Sequence, residues 1–246
     1  MDTADISARP ADAPRAPVPA AVRPVDAAAL VLVDRSSRTP RILLGRRNPS
    51  LTFMPGKFVF PGGRVDPQDR RIPVYGTLDT ESERRLLTRV TRPGATRARA
   101  LALAAIREIF EETGLLLGTR EAGAPEGLPE SWQAFARSGV FPNLEGLTFV
   151  ARAITPPRFP RRFDTRFFLA DATEVVHRED GVVGPDAELV ETAWLTFAEA
   201  KQAEVPAITL AIIEEVEARL KAGNRPWLPV PFYVSRLGKM RRETLA

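Results

Sequence analysis

Cysteine is absent from this sequence of 246 residues, and histidine occurs only once. Without thiols the chain cannot form a disulfide, a thiolate metal site or a cysteine nucleophile. A zinc site built from cysteine and histidine is excluded for the same reason. Any metal ion must therefore be bound mainly by oxygen atoms.

Long apolar runs are absent as well. No stretch approaches the roughly 18 consecutive apolar residues that a transmembrane helix requires. Residues 1–5 lack the basic and apolar regions of a signal peptide. We therefore expect a cytoplasmic protein that does not bind a membrane.

The excess of positive charge is small, with a net charge of +4 and a pI of about 9.9. The basic residues do not form the repeated basic and aromatic motifs that are typical of nucleic-acid-binding segments. This pattern favours a phosphate-bearing small molecule over nucleic acid as the partner. The composition leaves the oligomeric state open, a homodimer included.

The hydrophobic pattern predicts one α+β domain, with helices layered against a mixed sheet, over residues 26–246. Residues 1–25 are rich in proline and alanine and are expected to be a disordered leader. A basic extension is expected over residues 221–246, packed by Trp227 and Phe232. The predicted strands include residues 27–33, 41–45, 147–154 and 188–195, and the predicted helices are 81–90, 97–113, 197–204 and 208–220.

Three carboxylates share one face of the helix predicted at 97–113. At about 100° per residue, Glu111 and Glu112 fall within roughly 60° on either side of Glu108. Like charges at these spacings repel each other, and Arg107 alone cannot neutralise three of them. A hard divalent cation would do so. The alternative is a solvated acidic face on a surface helix.

Two glycines, Gly62 and Gly63, follow a short aromatic segment. Such a pair allows a close backbone approach, although it also marks ordinary turns.

These residues resemble the Nudix box, GX5EX7REUXEEXGU, where U is aliphatic. Gly63 matches its first glycine, and Asp69 stands where its first glutamate is expected. Arg107 lies 44 residues after Gly63 instead of 14, so about 30 residues are inserted, over roughly 70–96. Counted backwards from Arg107, the glutamate position holds Arg99, which leaves Asp69 as the candidate replacement. The second half of the box is matched by Arg107, Glu108, Ile109, Glu111, Glu112, Gly114 and Leu115.

The resemblance implies a Nudix α/β/α sandwich, with a mixed sheet between helices and an insertion inside the box. The split box and the segments 53–63 and 161–170 resemble the branch that contains animal peroxisomal coenzyme A diphosphatases. The implied cofactor is Mg²⁺ or Mn²⁺, bound by Glu108, Glu111, Glu112 and the Gly63 backbone. The implied catalytic residues are Glu111, Glu108, Arg107 and Glu188, and the arginines expected to bind substrate are Arg46, Arg64, Arg158, Arg161 and Arg162.

The resemblance implies cleavage of a nucleoside diphosphate derivative. Coenzyme A or acyl-coenzyme A is the leading substrate, giving a 4'-phosphopantetheine product and 3',5'-ADP. Alternatives are ADP-ribose, NADH or a dinucleotide as substrate. A non-catalytic nucleotide- or RNA-binding module is a further alternative, against which the intact Glu111 and Glu112 argue.

Overall fold

A computed structural model describes residues 22–157 and 159–245. Within these residues the chain forms eleven strands, five α-helices and three short 3₁₀ turns. The strands are β1 (Val25–Asp34), β2 (Arg41–Arg47), β3 (Phe58–Val59), β4 (Gly62–Arg64), β5 (Leu115–Leu117), β6 (Thr148–Ile154), β7 (Phe163–Asp171), β8 (Val175–Arg178), β9 (Leu189–Thr196), β10 (Val230–Arg236) and β11 (Lys239–Leu245). The helices are α1 (Thr80–Leu86), α2 (Ala95–Thr113), α3 (Gln133–Arg137), α4 (Phe197–Gln202) and α5 (Ala207–Lys221).

Strand β1 lies at the centre of a mixed sheet. Its apolar run 27–33 is buried throughout, as expected for a strand covered on both faces. It pairs in parallel with β7 and antiparallel with both β2 and β4. The order of the sheet is β11-β10-β6-β7-β1-β2-β3, with β9 beside β2, while β5 and β8 form a separate pair.

The two faces of β1 pack against different helices. Ala28, Leu30 and Leu32 lie in one core with the apolar side of α2. The alternate residues, which include Val31 and Val33, lie in a second core with α4 and α5. Helices therefore cover both faces of the sheet, which confirms the predicted sandwich.

Helix α2 carries the carboxylates, and its start differs from the expected one. The sequence predicts a start at residue 97, but the helix already begins at Ala95, after Gly94. The Gly94 carbonyl accepts hydrogen bonds from the backbone of Arg97 and Ala98, so Thr96 lies inside the first turn. Further along the helix, Leu103, Ile106 and Ile109 are fully buried, as their helical spacing predicts.

The last residues of the chain are not an extension packed by its aromatic residues but the edge of the central sheet. Strand β10 pairs with β6, and β11 pairs with β10. The sequence pattern hides both strands, because Pro231 interrupts the first and charged residues dominate the second. Phe232 is buried, as expected, whereas Trp227 is 67% exposed.

No helix among the described residues is both long and apolar enough to cross a bilayer. The predicted disordered leader lies outside the described residues up to position 21, and Val25 already belongs to β1.

The hairpin formed by β10 and β11 is expected to be required for stability. Phe232 is 3% exposed, so Phe232→Ala should lower the free energy of unfolding by about 3–5 kcal/mol. Leu237, in the turn of the same hairpin, is fully exposed, so Leu237→Ala is a matched control with little effect. Urea unfolding followed by circular dichroism measures both. Equal effects of the two changes would contradict the structural role of the hairpin.

Candidate active site

The final two turns of α2 present Glu108, Glu111 and Glu112 on one side, and the helix ends at Gly114. Gly114 has a left-handed conformation, with φ of 75°, and its N–H bonds the Phe110 carbonyl at 2.7 Å. A Cβ atom there would also lie 2.1 Å from a backbone oxygen of the neighbouring segment. Glycine is therefore required to end the helix directly after the carboxylates.

The glycine pair in β4 brings backbone close to two of these carboxylates. A Cβ atom on Gly63 would lie 2.4–2.5 Å from the carboxylate of Glu108. The Gly62 N–H donates to Glu112 Oε2 at 3.2 Å, and a Cβ on Gly62 would meet the Ala28 carbonyl at 2.5 Å. Side chains at either position would displace the acids or the neighbouring strand.

Arg107 connects the carboxylates to the rest of the fold. Its Nη1 donates to Glu108 Oε1 and to Glu111 Oε2, each at 2.8 Å. Its Nε and Nη2 donate to the two carboxylate oxygens of Asp69 at 3.0 and 3.2 Å. Nη2 also donates to the Arg64 carbonyl at 2.8 Å. With a side chain only 6% exposed, this guanidinium fixes two acids of the site and two other segments.

Asp69 occupies the place of the expected glutamate but faces Arg107. It is fully buried and accepts hydrogen bonds from Trp132 Nε1 at 3.3 Å and from the backbone of Asp66 at 2.8 Å. Sequence reasoning missed Trp132, because its partner lies 63 residues away in the chain. Asp69 thus serves as the anchor of the arginine.

Burial raises the pKa values of all three helix carboxylates. The pKa of Glu108 rises to about 7, because burial outweighs the opposing charge of Arg107. Glu112 has a pKa well above its usual range through burial and through the nearby charges of Glu188 and Glu108. The pKa of Glu111 is also raised by burial. Positive charge is therefore deficient around these acids.

The donor chemistry fits a hard divalent cation. The cluster offers carboxylate oxygens and a backbone that comes close only because Gly63 lacks a Cβ. Among the described residues no three acidic or imidazole side chains form a ready metal-binding group, and Glu111 is hydrogen-bonded to Arg107. Glu108, Glu112 and the Gly63 backbone would hold such an ion, with Glu111 beside them.

Glu188 lines the cavity near Glu108 and Glu112. Its Oε1 accepts from Arg47 Nη1 at 2.8 Å, and about half of the side chain is exposed. Arg47 lines the cavity, whereas Arg46 does not belong to its lining. Arg46 instead covers the Phe58 ring at 4.6 Å. The substrate role expected for Arg46 stays a prediction, and Arg47 becomes a further candidate, because neighbouring residues of a strand point to opposite faces.

Of the other arginines predicted to bind substrate, some line the cavity and one does not. Arg64 and Arg161 line the cavity, together with Arg70, which the sequence did not single out. Arg162 is instead structural, since it donates to the carbonyl of Thr155 at 2.9 Å and to that of Val22 at 2.6 Å. Arg158 lies outside the described residues.

The cavity beside the carboxylates has a volume of about 1470 Å³. This exceeds the 300–1,000 Å³ that is usual for a site of one small ligand. Glu108, Glu112 and Glu188 contribute to its lining together with arginines and with apolar residues of the sheet and of α5.

None of the family models searched matches the chain. Among curated proteins, the one named nudix hydrolase 7 of Caenorhabditis elegans is 26% identical over 179 residues, which are 69% of this chain and 50% of that protein. The chain therefore spans about half the length of this curated relative.

Among solved structures, a NUDIX hydrolase from Alicyclobacillus acidocaldarius is 25% identical, with a TM-score of 0.57. The match covers 79% of this chain and 91% of that one. On these grounds the chain is similar to Nudix hydrolases in both sequence and fold.

Proposed function

We propose that the protein is a metal-dependent hydrolase that cleaves the diphosphate linkage of a nucleoside diphosphate derivative. The observation that carries this proposal is the close approach of the Gly62–Gly63 backbone to the carboxylates of Glu108 and Glu112. Negative charge collects there at the end of a large cavity, and arginines line the same cavity. This is the arrangement that a bound cation and a phosphate-bearing substrate would complete together.

In this proposal Glu108, Glu112 and the Gly63 backbone hold Mg²⁺ or Mn²⁺, and Glu111 joins them by leaving Arg107. A bound cation supplies neutralisation of phosphate charge and activation of water. Glu188 is the candidate general base, because it lines the cavity and Arg47 orients it. Arg64, Arg70 and Arg161 are the candidates for binding phosphate groups.

Coenzyme A or acyl-coenzyme A is the proposed substrate. Water adds to one phosphorus of the diphosphate and the bridging P–O bond breaks. The products are 4'-phosphopantetheine, or its acyl form, and 3',5'-ADP. The runner-up substrates are ADP-ribose, NADH and dinucleotides, all of which contain the same type of linkage.

The substrate is tested by incubating the protein and Mg²⁺ with coenzyme A, acyl-coenzyme A, ADP-ribose, NADH and capped RNA, with mass spectrometry of the products. We expect turnover of coenzyme A derivatives, and a loss of kcat of at least about 100-fold in Glu111→Gln. Glu214→Gln, an exposed change on α5, is the matched control. If no compound is turned over, the enzyme proposal is wrong and the alternative of a non-catalytic binding module is favoured. Full activity of Glu111→Gln would exclude a catalytic or metal-binding role for Glu111.

Metal binding is expected to raise the thermal midpoint of the protein, because an ion that binds only the folded state stabilises it. Glu112→Gln should reduce this increase by more than half. The same change should raise the midpoint in EDTA, since the amide no longer repels Glu108 and Glu188. Scanning fluorimetry with EDTA, Mg²⁺ and Mn²⁺ measures both effects, again with Glu214→Gln as control. A lower midpoint of Glu112→Gln in EDTA would contradict the repulsion.

Asp69 is expected to act by positioning Arg107. Asp69→Asn should lower kcat more than it changes KM, whereas Asp69→Glu, which restores the acid of the box, should keep most activity. Trp132→Phe retains the packing of the ring but loses the N–H donor, so we expect a smaller loss, of about threefold to tenfold. Trp194→Phe, on β9, is the control. Kinetics and the Mn²⁺ affinity of each variant test this, and an unchanged Mn²⁺ affinity in Asp69→Asn would contradict it.

A further inference from the structure

The cavity continues far beyond the carboxylates, across the face of the sheet that α5 partly covers. Its lining includes Gly63 on β4, Ala27 on β1, Thr165 on β7, Ala153 on β6 and Met240 on β11. In the sheet these strands lie in the order β4, β1, β7, β6, β10 and β11. Five spacings of roughly 4.8 Å make the groove about 24 Å long.

The floor of this groove is made of small side chains. Ala27 and Ala29 of β1, Ala153 of β6 and Thr165 of β7 all belong to it. Ala153 lies at the middle, because it is the register partner of Thr165 on one side and of Tyr233 on the other. Helix α5 begins after Pro206, and the first residues of the helix form one wall of the groove.

Three hydroxyl groups face this groove without a partner. Within residues 22–157 and 159–245, the hydroxyls of Thr165, Thr209 and Ser235 form no hydrogen bond, although Thr209 is only 6% exposed. None of these three hydroxyl oxygens is among the fully buried side-chain atoms without a partner, so each is in contact with solvent. These groups are therefore available to a ligand that carries hydrogen-bonding groups at intervals.

Charge is scarce beyond the carboxylate end. Asp26 lies on the lining, but Arg97 and Arg166 neutralise it. Arg64, Asp66 and Arg70 belong to β4 and the turn after it, and Arg161 lies in the loop before β7, so the lining residues from β6, β10 and β11 are all uncharged. A chain that lies on this floor should therefore be uncharged along most of its length.

We propose that this floor groove binds one arm of the substrate, an extended uncharged chain of methylene and amide groups attached to the diphosphate. The proposal rests on the proposed function, which holds the diphosphate at the carboxylate end and so leaves one direction for a long arm. About 24 Å accommodates an extended chain of several amide units, whereas a single sugar would reach only the first part of the floor. Such an arm distinguishes coenzyme A from ADP-ribose, and both share the ADP half.

The test fills the middle of the floor. Ala153→Phe should lower the ratio of kcat/KM for coenzyme A to kcat/KM for ADP-ribose by at least tenfold, because only the first substrate carries the arm. Thr165→Val keeps the volume of the side chain and removes a hydroxyl, so we expect a smaller fall of the ratio, of about threefold to tenfold. Ala122→Phe, at an exposed position outside the lining, is the matched control and should leave the ratio unchanged.

Binding measured without turnover separates this proposal from the proposed function. The Kd of coenzyme A, determined by calorimetry in EDTA, should rise in Ala153→Phe by a similar factor, and circular dichroism checks the fold of each variant. Equal losses for coenzyme A and ADP-ribose would assign the floor to the shared ADP half, and no change for either would leave the floor without substrate. Both results overturn the proposal. A wild-type protein that binds coenzyme A through the floor but hydrolyses nothing would instead refute the proposed function alone.

Discussion

The pairing of Arg107 with Asp69 is the interaction on which the site depends. Both side chains are almost fully buried, and a buried guanidinium is tolerated only where acceptors satisfy it. Burial alone would lower the pKa of Arg107, but the bonds to Asp69 and the charge of Glu108 raise it above its ordinary value. The arginine therefore stays charged and holds the carboxylate helix, the turn after β4 and the glycine strand in one arrangement.

This pairing also explains how the site tolerates a long separation between its two halves. Arg107 and Asp69 are 38 residues apart in the chain, yet their side chains meet at 3.0 Å. Lengthening a loop between fixed ends adds little free energy, because the entropic cost grows only with the logarithm of its length. Trp132, which lies later in the chain, donates a hydrogen bond to the carboxylate of the same Asp69. These side-chain contacts therefore hold the two halves of the site together, although the halves are far apart in the sequence.

The sequence predicted the parts of the fold and of the site that are set locally. The carboxylate face follows from helical periodicity within five residues, and the sandwich follows from the order of its apolar segments. That Arg47 lines the cavity while Arg46 does not could not be predicted, because a shift of one residue along a strand reverses the face, and only tertiary contacts decide which face is which. The roles of Arg162 and Trp132 depend on backbone and side-chain partners far away in the chain. The edge strands were missed because Pro231 and the charges of β11 mask their pattern.

The sheet face that carries the groove contributes less to the stability of the fold, and packing on the opposite face offsets this loss. Small floor residues such as Ala153 bury little apolar surface, so they add little to the core that they share with α5. The opposite face of the same strands compensates, because Phe232 packs against Arg152 while Phe168 is fully buried beside α2. The face towards α2 therefore provides most of the packing of these strands, whereas the face towards α5 carries the groove. Strand β1 pairs with the glycine strand β4 and also supplies Ala27 and Ala29 to the floor of the groove. The same strand therefore connects the charged end of the cavity to its uncharged part.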